Sequence, residues 1–191
     1  MKGVIFDFDG TLVDTMPIHF EAYRRTFDEI GLELTEDDFF SNVGGKATET
    51  IPKFLRGRES SKTPLEIHRR KKEIVGELFT SGEISLLDTA KLIDAFAQHV
   101  PIAIASSGSR PGIEILLKRL GWTDKFKAVI TGEDASNGKP APDLFLLAAE
   151  KIGIDPRDCL AFEDTDDGVA SATAAGMTVI DVRRTSAPSS R

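Results

Sequence analysis

Short apolar runs alternate with amphipathic stretches along most of this chain. The first run, Gly3-Val4-Ile5-Phe6, is too uniformly apolar for a surface turn, and residues 2–6 are predicted as a buried strand. From about Met16 to Thr80 the period changes. Phe20, Tyr23, Phe27 and Ile30 recur at spacings of three and four, which predicts an amphipathic helix stopped by Gly31. Thr35 is a candidate N-cap for the next helix, with a partial capping box because Asp38 stands where Glu or Gln is wanted. Gly44-Gly45 breaks the pattern. A further helix is predicted from Pro64, at the favoured first position, through Phe79. No strand-like run is read in this stretch.

From Glu83 onward strands and helices take turns. Helices are predicted at 88–98, 111–120, 143–152 and 166–175, leading to strands at 100–105, 126–130, 159–162 and 177–182. Gly121, Gly153 and Gly176 stand at three of the helix ends. Repeated strand–helix units with short apolar strands predict a parallel sheet covered on both faces, which the strand at 2–6 would join. The expected fold is therefore α/β, a Rossmann-like parallel-sheet core with an inserted all-helical cap. Residues 1–15 and 82–191 form the core and residues 16–81 the cap, with linkers near 14–16 and 81–86. The Ser/Pro-rich tail at 184–191 is expected to be disordered. No internal repeat is visible.

Composition narrows the function. The chain has 191 residues, 40% apolar and 29% charged, enough for a real core and a small extra lobe. A net charge of −7, with one basic run at Arg69-Arg70-Lys71-Lys72, argues against nucleic acid as a partner. That run is read as a solvated helix face. The single cysteine, Cys159, cannot form an intrachain disulfide and reads as a buried strand thiol. No signal peptide precedes the first strand and no run approaches the ~18 apolar residues of a membrane span, so a cytoplasmic protein without membrane contact is expected.

The chemistry is sought where open parallel sheets bind ligands, beyond the carboxyl ends of the strands. Asp7 and Asp9 follow the first strand two residues apart, and strand alternation would place them on one side. Two acids that close call for a cation or a shared proton. Ser106-Ser107-Gly108-Ser109 follows the strand at 100–105 and precedes a helix, a natural phosphate cradle, although such a turn also serves as simple capping. Lys139 lies in Gly138-Lys139-Pro140-Ala141-Pro142-Asp143; alone it would read as surface. Glu163-Asp164-Thr165-Asp166-Asp167 carries four acids in five positions, more than N-capping excuses. Carboxylates and backbone oxygens suit Mg²⁺, and no His/Cys cluster suggests zinc. Hydroxyls and a lysine complement phosphate.

With these motifs in order, the chain resembles the haloacid dehalogenase superfamily, in particular its β-phosphoglucomutase-like branch with a helical cap. The stretch 139–182 resembles the bacterial fructose-1-phosphatase type. The resemblance implies that Asp7 attacks the phosphoryl group, that Asp9 is the general acid and base, and that Ser106, the Ser107 N–H and Lys139 hold the transferring oxygens. It also implies Mg²⁺ on Asp7, the Asp9 carbonyl, Asp164 and Glu163, with Asp167 in an outer position. In the cap, His19, Lys46 and Lys71 match positions that contact substrate or link cap closure to the acid/base Asp. A small phosphorylated metabolite, a sugar phosphate, is the expected partner, and the chain is expected to be a monomer or weak dimer. The expected activity is phosphate-ester hydrolysis, with a phosphosugar mutase as the nearest rival and a receiver-type phospho-acceptor domain as a remote one.

Overall fold

The computed structural model of the protein describes residues 1–43 and 47–184. The chain divides into two compact units, Met1–Thr15 with Ile84–Arg191, and Met16–Glu83.

The first unit is built on a five-stranded sheet. Its strands are β1 (Gly3–Phe6), β4 (Ile102–Ala105), β5 (Ala128–Ile130), β6 (Cys159–Glu163) and β7 (Thr178–Asp181), in the order β5-β4-β1-β6-β7. All four pairings are parallel. β1 and β4 are buried at every position, which is why they read as continuous apolar runs rather than alternating ones. Helices α5 (Leu92–Ala97), α6 (Arg110–Arg119), α7 (Asp143–Ile152) and α8 (Asp166–Ala174) connect them. On one side of the sheet Ile5, Ala103, Ala105 and Ala161 pack against Leu144, Phe145, Ala148 and Ala149 of α7. An aromatic group, Phe6, Phe96, Phe126 and Phe162, stacks elsewhere in the unit, with the Phe6 and Phe162 centroids 5.0 Å apart.

Four of the five predicted strands start one or two residues later than expected, while β6 starts at Cys159 as expected and runs on to Glu163. Pro101 cannot donate a ladder hydrogen bond, so β4 begins at Ile102 rather than Val100. The helix expected at 88–98 opens as a 3₁₀ turn over Asp88–Lys91. Two elements have no counterpart in the sequence reading. Val13–Asp14 (β2) and Ser85–Leu86 (β3) form a two-stranded antiparallel pair where plain linkers were expected. Two-residue strands carry too little alternation to be read.

The second unit is helical: α1 (Met16–Asp28), α2 (Glu36–Asn42), α3 (Ala47–Leu55) and α4 (Pro64–Ser81). Tyr23, Phe27, Leu34, Phe39, Ile51, Phe54 and Ile67 make its core. α3 was not foreseen; Pro52 inside it and the Gly44-Gly45 pair before it mask its period. α4 begins with a full capping box, Thr63 with Glu66. The break at Gly44-Gly45, the candidate Lys46, and residues 185–191 of the tail lie outside the described residues. Arg184 ends a 3₁₀ turn from Val182 rather than opening the tail.

Candidate active site

In the sheet, the chain turns to one side from β1 into β4 and to the other into β6. The order therefore reverses beside β1, and the switch point is where such folds bind ligands. Phe6 pairs with Phe162 and with Ile104, so three strands end at the same level. The segments leaving them bring Asp7, Ser106, Glu163 and Asp164 together, and Lys139 arrives from the loop before α7.

Lys139 is the hub. Its Nζ donates to Asp7 Oδ1 at 2.6 Å and to Glu163 Oε1 at 2.5 Å. The three side chains are 7%, 7% and 1% exposed. The ammonium also stands 5.1 Å from the centroid of the Phe145 ring. Glu163 Oε2 accepts from the Thr165 N–H at 2.7 Å and its hydroxyl at 3.0 Å. The Thr165 hydroxyl in turn caps α8 by accepting from the Gly168 N–H at 3.0 Å. A side chain at Gly168 would run into the Glu163 carboxylate, which explains the glycine. Asp164 Oδ1 accepts from the Thr11 hydroxyl at 2.9 Å. Gly10, at φ +85°, passes so close to the Asp164 carboxylate that a Cβ would collide with it.

Asp9 faces other partners. Its Oδ1 accepts from the Thr15 hydroxyl at 2.8 Å and its Oδ2 from Ser106 at 3.3 Å. Strand alternation does not explain the Asp7–Asp9 arrangement, because β1 ends at Phe6 and both acids belong to the loop. Asp7 pairs with a lysine, and Asp9 accepts from two hydroxyls. Ser106 is 1% exposed and accepts from the Gly108 N–H at 2.9 Å, while Ser107 beside it is exposed.

Burial pushes the Asp7 carboxyl up to about 8, against the pull of Lys139 and helped by the nearby Glu163 and Asp9 charges. Burial opposes the Lys139 charge, but Asp7 and Glu163 hold that ammonium above its ordinary value. Asp164 is also raised, by burial first. A site with this much acid and one lysine is suited to a further cation. Asp7, Glu163 and Asp164 each offer an oxygen within 4.8 Å of the others. Asp7 Oδ2 is buried with no hydrogen-bond partner, an acceptor that a bound ion would satisfy. An all-oxygen donor set fits Mg²⁺. Both oxygens of Glu163 already have donors, so Asp7 and Asp164 are the better candidates for direct contact.

The four-acid run loses part of its meaning. Asp166 Oδ1 is answered by Arg183 Nη2 at 2.8 Å, and Asp167 is exposed. The basic run also differs from a plain solvated face. Arg70 binds Glu29 and Glu73 on the surface, but Lys71 turns inward within the helical unit. Its Nζ lies 3.1 Å from His19 Nδ1 and 4.9 Å from the centroid of the Tyr23 ring. Burial first, and Lys71 second, push His19 down to about 3. The imidazole is therefore neutral, its Nδ1 accepts from Lys71, and its proton sits on Nε2. Thr11, Thr15 and Thr165 were missed as contributors. Only Thr165 carried a readable signal, a hydroxyl placed before a helix and three residues ahead of Gly168.

The sequence profile of haloacid dehalogenase-like hydrolases matches residues 1–176. The chain belongs to the haloacid dehalogenase-like hydrolases. Among its relatives is fructose-1-phosphate phosphatase YqaB of Escherichia coli K12, 32% identical over 181 residues that cover 95% of this chain and 96% of that protein. β-Phosphoglucomutase of Bacillus subtilis 168 is 32% identical over 192 residues, covering 95% and 83%. Among solved structures, CbbY from Rhodobacter sphaeroides in complex with phosphate superposes with a TM-score of 0.80 at 28% identity, covering 94% of this chain and 84% of that one. Within the family this chain is a phosphoric monoester hydrolase with the α/β fold expected of it. Haloacid dehalogenase-like phosphatases generally use Mg²⁺, which agrees with the acid cluster here. Membership of a hydrolase family sets aside the receiver-type alternative. Among the described residues no helix is long and apolar enough to cross a membrane.

Proposed function

We propose that this chain is a Mg²⁺-dependent phosphatase that hydrolyses a small sugar phosphate through a phosphorylated Asp7. The observation that carries the reading is Asp7 itself: a buried carboxylate at the switch point of the sheet, held through Oδ1 by Lys139 and with Oδ2 unpartnered. An oxygen fixed in direction and stripped of water is a competent nucleophile.

Asp7 attacks phosphorus, an Asp7–phosphorus bond forms, and the bond from phosphorus to the sugar oxygen breaks. Asp9 gives that oxygen its proton. Asp9, now a base, takes a proton from water, whose oxygen attacks the same phosphorus and releases inorganic phosphate from Asp7. Asp9 accepts from the Thr15 and Ser106 hydroxyls, neutral donors that suit a group that changes protonation state. Ser106, the Ser107 N–H and Lys139 bind and orient the phosphoryl oxygens. Asp7, Asp164 and the Asp9 carbonyl would hold Mg²⁺, with Glu163 beside them; when bound, the ion offsets charge between nucleophile and phosphate.

His19, Lys46 and Lys71 are proposed to govern substrate choice, and Asp167 to stand outside the ligands. The chain is read as cytoplasmic and as a monomer or weak dimer. A mutase reading keeps the same residues and passes the phosphoryl group to a second sugar hydroxyl; the β-phosphoglucomutase relative is what keeps it open. The test is phosphate release with Mg²⁺ from fructose 1-phosphate, fructose 6-phosphate and both anomers of glucose 1-phosphate, with isomer products assayed together. Free phosphate from one or a few supports the phosphatase. Conversion of glucose 1-phosphate to glucose 6-phosphate with little release supports the mutase. Neither outcome, with every substrate inert, overturns both.

A further inference from the structure

The loop that carries Lys139 is poor in bonds of its own. Pro140 and Pro142 have no N–H to donate. Ala141 N–H closes a turn onto Gly138 O at 3.0 Å, and the Asn137 N–H and side-chain amide bond Asp143 Oδ1 at 3.2 and 2.9 Å. These contacts shape the loop but tie it to nothing outside itself and the start of α7. Apart from the Lys139 side chain itself, the tie comes from α8. Ser171 Oγ donates to Ala141 O at 2.6 Å, from a position that is fully buried.

The direction of that bond is informative. A hydroxyl inside a helix commonly bonds the carbonyl four residues back. Thr26, Thr80, Ser81 and Thr173 do so, to Ala22, Gly76, Glu77 and Val169. Ser171 instead reaches thirty residues back in sequence. Its helix begins at the turn where Thr165 grips the Glu163 carboxylate. One helix therefore holds both ends of the Lys139–Glu163 contact: the acid through Thr165 and the lysine loop through Ser171.

We propose that Ser171 is a positioning residue that sets the Lys139 ammonium against Asp7 and Glu163. The proposal rests on the phosphate-binding role of Lys139 given above. Without the hydroxyl, the half-buried Ala141 O loses this donor, and the loop gains freedom to shift.

The test is a double-mutant cycle read by calorimetric titration with inorganic phosphate in Mg²⁺ buffer, alongside kcat and KM. Ser171→Ala should weaken phosphate binding about five- to tenfold and lower kcat/KM by a similar factor, as expected for one partly buried hydrogen bond acting through a neighbour. In the Lys139→Gln background the same change should have no further effect. Ser171→Cys, which keeps the volume with a much weaker donor, should fall between. Far-UV circular dichroism and melting show that each variant is folded. Equal losses in both backgrounds, no loss in either, or failure of both Ser171 variants to fold would each overturn the proposal. If Lys139→Gln alone binds phosphate as the parent does, the reading of Lys139 fails first, and the two failures are told apart.

Discussion

The two units place the same kinds of charge in opposite surroundings. In the helical unit Arg70 meets Glu29 and Glu73 with all three side chains 40% exposed or more; such pairs add little to stability. In the α/β unit Lys139, Asp7 and Glu163 are nearly sealed from water. Burying such ionisable groups costs more than it returns unless geometry is close and the remaining lone pairs are satisfied. Here one oxygen, Asp7 Oδ2, is left unsatisfied. A fold that wanted stability alone would place apolar side chains there, so the buried cluster points to chemistry. His19 with Lys71 is the helical unit's own inward-facing pair, and it sits between these extremes.

The largest effect expected of that contrast is at Asp7. Asp7→Asn changes almost no volume and should cut turnover by about a thousandfold or more while the circular dichroism spectrum stays unchanged. Asp9→Asn should follow, with a loss of about 10²–10⁴-fold in steady-state rate, since both chemical steps use its proton. Removing Mg²⁺ with a chelator should abolish turnover. Restoring it should raise the melting temperature of the parent but not of Asp164→Asn, because only a native site links metal binding to folding.

The next effect belongs to His19. Its folded-state value lies below its unfolded one, so the native state holds it neutral while the unfolded chain protonates as pH falls through about 6.5. Its contribution is complete well above that pH and is lost on acidification. Between pH 8 and pH 5 this amounts to about 2 kcal/mol. Urea melts at the two pH values should show His19→Asn losing less, or gaining more, than the parent by about that amount; the raised Asp7 and Asp164 carboxyls act in the opposite direction and are common to both proteins. Arg70→Ala should be the smallest change: unaltered kcat and a scarcely moved melt. A large loss there would break the contrast between the units.

How much of this was legible in the sequence follows from physical scale. The strand at Gly3–Phe6 and the helices at α1, α4 and α7 were readable because burial imposes a period over many residues. α3 was not, because Pro52 and the glycines before it interrupt the period, and β2 with β3 was too short to have one. Asp7, Ser106, Lys139, Glu163 and Asp164 stood out by type and by their places after strands. What they touch did not. The pairing of Asp9 with Thr15 and the reach of Ser171 to Ala141 depend on contacts of about 3 Å between residues apart in the chain, and the two donors on Glu163 Oε2 depend on how the turn at Thr165 folds back. The four acids at 163–167 looked like one cation site; Arg183, sixteen residues beyond Asp167, accounts for Asp166 instead.

The central claim is that Asp7 carries the phosphoryl group during turnover. Its most direct test is acid quenching of the enzyme while it hydrolyses the best sugar phosphate of the panel, followed by peptide mass spectrometry. A phosphoryl group on Asp7, absent from Asp7→Asn together with turnover, is the predicted result. Rapid phosphate release with Asp7 unmodified, and with Asp7→Asn still active, would contradict the account.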